Sequence, residues 1–253
     1  MTVTMTATPA PETGSVQLRL TGAGTVTRLE RADSNGTASV RTLPGVLPWT
    51  YAGSDLIIDD YEPGAGAVNY WAETDAGTVP VSVTFELLSP WLFVPLQPAY
   101  SAELKSITSY NAGRPGRSSV LEPIGRRDPV VITRAMGSRR GQLSAFAGAT
   151  YAAARELEAA CDRGEVLMLR QPEHAGLDMY FICESSNIEP LLVEGGKTLW
   201  GVSLDYIEVS RPAENIAGAL GWTFAELAAS APSFSTITRR YATFEDLRLD
   251  NRI

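Results

Sequence analysis

The sequence predicts a mainly β protein: a small β-sandwich, then an α+β barrel or sandwich with one inserted helix, then a C-terminal extension of short helical turns. Three observations carry this. Short alternating apolar runs bounded by Gly, Pro or Asp fill most of residues 15–212; a single stretch has clear helical periodicity; and an aromatic-aliphatic pair recurs every ten residues near the C-terminus. The 253 residues, 44% hydrophobic and 20% charged, suffice for one large domain or two modest ones.

Residues 1–14, rich in Thr, Pro and Ala, read as a flexible N-terminus without the basic and apolar regions of a signal peptide. From Ser15 the grammar is that of a β-meander. Val16, Leu18 and Leu20 alternate with polar residues, Thr25 to Glu30 follows, and Asn35-Gly36 supplies the positive-φ dipeptide of a tight hairpin before Ala38 to Leu43. Leu56 to Ile58, Ala67 to Thr74 and Val79 to Leu87 continue it, so about seven short strands fit an immunoglobulin- or fibronectin-like sandwich over residues 15–88.

Ser89 and Pro90 end that unit, and residues 89–212 form a second. Strands are expected at Leu104 to Tyr110, Val130 to Thr133, Gly141 to Phe146, Val166 to Arg170, Met179 to Ser185 and Leu199 to Val209, with a long Gly- and Pro-rich loop at 111–127. The helix lies at 151–162, capped by Thr150 and stopped by Gly164, with Tyr151, Ala154, Leu157 and Cys161 on its packed face. After Pro212, Phe224 with Leu227, Phe234 with Ile237 and Phe244 with Leu247 each share one helical face, so the extension 213–253 should drape over this subunit or a neighbour.

Composition removes several chemistries. A net charge of -8 disfavours general nucleic-acid binding, and no apolar run nears the roughly 20 residues of a membrane span. His174 is the single histidine and Cys161 and Cys183 the only thiols, which excludes multi-histidine metal sites and zinc ribbons and makes packed thiols the expectation. Gly195-Gly196-Lys197-Thr198 ends like a phosphate loop, but Leu191 occupies the first glycine position and a strand follows. No nucleophile context accompanies His174. No catalytic residue, metal or cofactor is therefore assigned.

Two clusters remain. Asp59-Asp60-Tyr61-Glu62 precedes a Gly/Pro turn and the Tyr70-Trp71 pair; its spacing is not that of a calcium loop, and it reads as a solvated turn followed by core aromatics. Exposed, Tyr61, Tyr70 and Trp71 would instead stack on a sugar, which would make the chain a carbohydrate-binding module or a tail-fibre-associated protein recognising cell-wall glycans. The second cluster is basic: of the 21 basic residues only Lys105 and Lys197 are lysines, and residues 114–140 hold Arg114, Arg117, Arg126, Arg127, Arg134, Arg139 and Arg140 against Glu122 and Asp128. Residues 1–88 carry four basic and ten acidic side chains. A basic belt on one part and an acidic complement elsewhere suit subunit pairing, since guanidinium forks engage carboxylates bidentately. A solvated loop with codon-driven Arg is the bland reading.

The elements RPGRSS (114–119), EPIGRRDPV (122–130) and SRRGQL (138–143), with the preceding DYEPGAGAVNYWAETDAG, the later TLWGVSLDYIEVSRP and the terminal TFAEL, STI and TFEDL turns, resemble the distal tail or minor tail proteins of long-tailed phages of actinobacteria. The resemblance implies a structural virion protein: a tail-tube-like β-barrel with a helix, closing into a hexameric ring at the tail tip. Its partners would be copies of itself, the tail tube protein, the tail tip hub and other baseplate proteins. Subunit contacts would fall on the seven arginines and on Phe224, Phe234 and Phe244.

Overall fold

The computed structural model describes residues 2–43, 46–122, 124–125, 127–172, 177–194 and 197–213. The Phe224, Phe234 and Phe244 turns, Arg126 and His174 lie outside them. Among the described residues the protein is mainly β with one α-helix, as the alternation predicts.

The first unit contains β1 (Thr4–Ala10), β2 (Ser15–Thr21), β3 (Thr25–Asp33), β4 (Gly36–Ser39), β5 (Trp49–Thr50), β6 (Leu56–Asp60), β7 (Gly66–Thr74) and β8 (Gly77–Phe85). One sheet has the order β1-β2-β6 and the other β4-β3-β7-β8, with β5 beside β3; all pairings are antiparallel. The inward rows Val16, Leu18, Leu20 and Ile58 from one sheet meet Val26, Leu29, Val68, Tyr70 and Ala72 from the other. That is a sandwich core built by period-two alternation.

The N-terminus is not flexible. Val3 and Met5 are buried, and β1 pairs along its whole length with β2. The cause is an alternation, Val3-Thr-Met5-Thr-Ala7, that the Thr/Pro/Ala-rich composition conceals; Pro9 is tolerated because β1 is an edge strand. The β3–β4 hairpin also differs in detail: Asp33 pairs with Gly36, so Ser34-Asn35 is the two-residue loop and Gly36, at φ 100°, follows it.

The second unit comprises β9 (Trp91–Phe93), β10 (Ala102–Glu103), β11 (Ser106–Gly113), β12 (Ser119–Leu121), β13 (Val130–Ile132), β14 (Arg140–Gly148), α1 (Tyr151–Asp162), β15 (Leu167–Arg170), β16 (Met179–Glu194) and β17 (Lys197–Val209). Its main sheet runs β10-β9-β15-β16-β17-β14-β11 and is open, so among the described residues no hydrogen-bonded ladder closes the expected barrel. Its two ends are nonetheless successive pieces of one bent segment. Leu104 donates to the Pro90 carbonyl at 2.8 Å and Lys105 to the Phe146 carbonyl at 2.9 Å, so the chain leaves β9 and joins β14 within two residues.

Helix α1 closes the core over β10, β14, β16 and β17. Thr150 accepts from the Ala153 N–H at 3.4 Å, and Gly164 adopts φ 67° just beyond the last turn. Ala154, Leu157, Ala160 and Cys161 face inward; Tyr151 is half exposed and packs its ring against Trp200 at 4.8 Å instead. The expected Met179 to Ser185 strand continues to Glu194, because bulges at Cys183/Ser185 and Pro190/Leu192 absorb the polar run and the proline that break the alternation.

If β1 is structural, Met5→Ala should cost about 2–3 kcal/mol and lower the thermal midpoint by several degrees. An unchanged calorimetric midpoint would show that the strand carries no stability.

Candidate assembly site

The arginine-rich stretch 114–140 is a two-stranded arm. The β11–β14 ladder ends at Gly113 opposite Arg140, Gly137 then donates to the Pro115 carbonyl at 2.9 Å, Arg134 donates to the Ser118 hydroxyl at 3.1 Å, and β12 pairs with β13 out to Leu121 opposite Val130. The eight residue steps from Gly113 to Leu121 carry the ribbon about 25 Å past the main sheet at ~3.3 Å per step. The expected long loop is thus hydrogen-bonded across its gap; its Gly and Pro residues mark the irregular joint between two ladders.

Glycine is required at the root of this arm. A Cβ on Gly141 would lie 1.8 Å from the Asn111 carbonyl oxygen, a backbone atom with no freedom to withdraw. At Gly137 a Cβ would approach Pro115 to 2.9 Å.

Every described residue from Asn111 to Pro129 is exposed. Arg114, Arg117, Arg127, Arg134 and Arg140 are exposed too, and among the described residues none of the five forms a salt bridge. Arg139 differs: its fork donates twice to Glu208, at 2.8 and 2.7 Å, and fixes the arm to β17. That fork, opposed by desolvation and joined by the charge of Arg114, holds the Glu208 carboxyl below its ordinary value. The arm also exposes Val120, Leu121, Ile124, Val131, Ile132 and Met136. A ribbon that combines free guanidinium forks with bare aliphatic side chains has the composition of a surface made to be covered.

The body behind the arm is held together by arginines that the sequence reading did not single out. Arg170, at the end of β15, is fully buried and reaches into the first unit. Its Nη1 donates to the carbonyls of Gly14 at 2.6 Å and Tyr61 at 2.7 Å, its Nη2 donates to Pro63, and the guanidinium lies 5.2 Å from the Phe85 ring centre and 5.0 Å from that of Phe93. Burial pushes this guanidinium down to about 10, against the opposing pull of Asp178 and Asp60.

Beside it, Arg31 is buried between Asp33 and Asp60, 2.6 Å from each. Tyr70 donates to the same Asp60 oxygen at 3.1 Å. Glu62 is the junction between units: Arg41 donates to it at 3.0 Å from the first unit, while Arg211 at 2.5 Å and the Tyr180 hydroxyl at 2.7 Å come from the second. Desolvation alone would raise the Glu62 carboxyl, but Arg211 and Arg41, with Tyr180, hold it below the usual carboxylate range. Asp178, raised by burial, accepts from Asn35 across the junction at 3.2 Å. Arg31, Arg41, Arg170 and Arg211 thus balance Asp33, Asp60, Glu62 and Asp178 in one network.

The remaining sequence-predicted groups are placed as follows. Tyr70 is a core residue, 1% exposed, so Tyr61, Tyr70 and Trp71 do not present a shared ring platform. Tyr61 packs against Phe93, and the Trp71 indole donates to Glu30 at 2.9 Å. The acidic turn is not solvated either: Asp60 and Glu62 are buried, their charges met by Arg31 and Arg41. Both cysteines are free thiols in mutual contact; the contact and burial together raise Cys161, while for Cys183 the contact with Cys161 outweighs burial and lowers it. In the backbone register Lys197 pairs with Glu194 and Thr198 with Val193, so the end of the Gly-Gly-Lys-Thr stretch begins a strand and not a helix; Gly195 and Gly196 lie outside the described residues. Comparison with protein-family models and with curated proteins returns no match.

Arg170→Lys keeps the charge but loses the fork, leaving buried carbonyls unmet; a loss of roughly 2–3 kcal/mol in urea unfolding is expected. A wild-type midpoint would remove Arg170 from its role. Because Glu62 is held low in the folded state, its contribution is complete above the unfolded carboxyl value of about 4.3 and is lost as pH falls through the lower folded value. Unfolding midpoints measured from pH 6 down to pH 3 should therefore fall in the wild type and fall less steeply in Glu62→Gln.

Proposed function

We propose that the chain is a structural subunit of a phage tail tip, assembling with copies of itself into a closed, hexameric ring that joins the tail tube to the baseplate or receptor-binding apparatus. The observation that carries this reading is the arm: a ribbon about 25 Å long on which, among the described residues, Arg114, Arg117, Arg127, Arg134 and Arg140 and the aliphatic side chains are exposed. The described residues of the motifs RPGRSS, EPIGRRDPV and SRRGQL that carry the resemblance to tail proteins lie on this arm and at its root.

A single arm that reaches outward favours head-to-tail contacts, which close into a ring when the rotation permits, over a two-fold dimer. The acid-rich first unit supplies charge opposite to that of the arm. A permanent ring contact would bury on the order of 2,000 Å² or more. The tail tube protein, the tip hub and other baseplate proteins are the proposed neighbours, and the virion is the proposed location. The reading assigns the chain an assembling role and no catalysis.

Arg114, Arg117, Arg127 and Arg134 replaced together by Glu should abolish ring formation in light scattering while leaving the thermal midpoint of the subunit unchanged, because all four are exposed. Wild-type protein that stays monomeric at high concentration and is absent from assembled tails would overturn the proposal.

A further inference from the structure

We infer that an apolar groove on the first unit receives the chain's own segment 216–227, with Phe224 and Leu227 as its anchors. The groove has a volume of about 310 Å³ and is lined by Leu43, Val46, Leu56, Ile57, Tyr61 and Pro98, with Asp59 at its rim. Leu43 and Ile57 are 49% and 54% exposed. Their exposure is at odds with the surface around them. The neighbouring outward positions of β2 are Gln17 and Arg19, which bond to Asp59 and Asp55, whereas Ile57 on the same face is apolar. β6, which carries Leu56 and Ile57, is also the edge strand of its sheet.

The chain itself says what covers this groove. Arg41, one of the lining residues, donates to the Pro212 carbonyl at 2.7 Å, and Arg211 donates to the Ser39 carbonyl at 2.8 Å. Residues 211–213 are therefore tied to the lip of the groove, and the next stretch of chain contains Ile216, Leu220, Trp222, Phe224 and Leu227. Eleven residue steps lead from Ala213 to Phe224, a reach of up to about 36 Å, so a short detour suffices. One helical turn places Phe224 and Leu227 on a common face. A groove at the small end of the ~300–1,000 Å³ range of ligand pockets takes one such pair, not three. The tether gives the segment a millimolar effective concentration at its own groove, which favours its own subunit over a neighbour. The inference holds whether or not the protein forms rings.

The test uses the full chain with Asp59→Cys and Ala225→Cys, which leaves both anchors intact, a short bis-maleimide crosslinker, and peptide mass spectrometry to distinguish the new thiols from Cys161 and Cys183. An intrachain 59–225 link is expected, at least fivefold weaker when Phe224→Ser is added, and absent from an Asp59→Cys/Glu245→Cys pair. An interchain link would replace the inference by exchange between subunits. No 59–225 link, a link indifferent to Phe224→Ser, or preferential capture at position 245 would each overturn it.

Discussion

The two-unit body depends on the buried guanidinium of Arg170. Moving a cation out of water costs several kcal/mol even after relaxation, and among the described residues no salt bridge to Arg170 offsets that. The compensation comes from charge-assisted bonds to the carbonyls of Gly14, Tyr61 and Pro63 and from the faces of Phe85 and Phe93. These acceptors belong to the β1–β2 turn and to the segment after β6, both in the first unit, while the arginine belongs to the second. Separating the units would strand a cation on one side and bare carbonyls on the other, so the pair behaves as one body. Glu62 adds to this by drawing donors from both units.

Such rigidity gives the arm its meaning. Arg139 bound to Glu208, and the backbone contact enforced at Gly141, fix the direction of the ribbon relative to β17. The body then carries that direction through to the first unit by way of the buried network. The eight charges inside the network neutralise one another, so the field outside comes from the remaining residues: a cationic arm on an otherwise acidic surface. In the proposed ring, charge of that kind would orient an approaching copy and set register more than affinity.

Much of the fold is legible in the sequence because local rules decide it. Thr150 and Gly164 bracket α1, and alternation places Leu18, Leu20, Val68 and Ala72 inside. Residues 1–14 mislead because composition masks the Val3-Met5-Ala7 alternation. The junction was missed for a different reason: charges are ordinarily assigned to the surface. Yet period two already places Arg31 and Asp33 on the inward row of Leu29, and Asp60 and Glu62 on that of Ile58. Followed past the apolar residues, the same alternation aims two opposite charges at two others. For Arg170 the signal is weaker: it ends the uninterrupted run Val166-Leu-Met-Leu, where a strand covered on both faces leaves its last side chain no solvated side. That its partners are carbonyls of Gly14, Tyr61 and Pro63 is set by tertiary geometry alone.

An isolated two-stranded ribbon is marginally stable in water, because its backbone bonds are exposed and neither face is packed. Among the described residues the arm beyond Gly113 is held by the contacts at Pro115 and Ser118, the three β12–β13 pairs and, at its root, the Arg139–Glu208 fork. Its prolines and arginines guard against indiscriminate edge pairing, the same residues that natural sheets place on unprotected edges. They do not explain the aliphatic residues. Val120, Leu121, Val131 and Ile132 lie on the paired stretch itself, where side chains that served solubility alone would be polar. A ribbon guarded along its edge and apolar on its faces is suited to selective cover, and the proposed ring would supply it through repeated copies of one subunit.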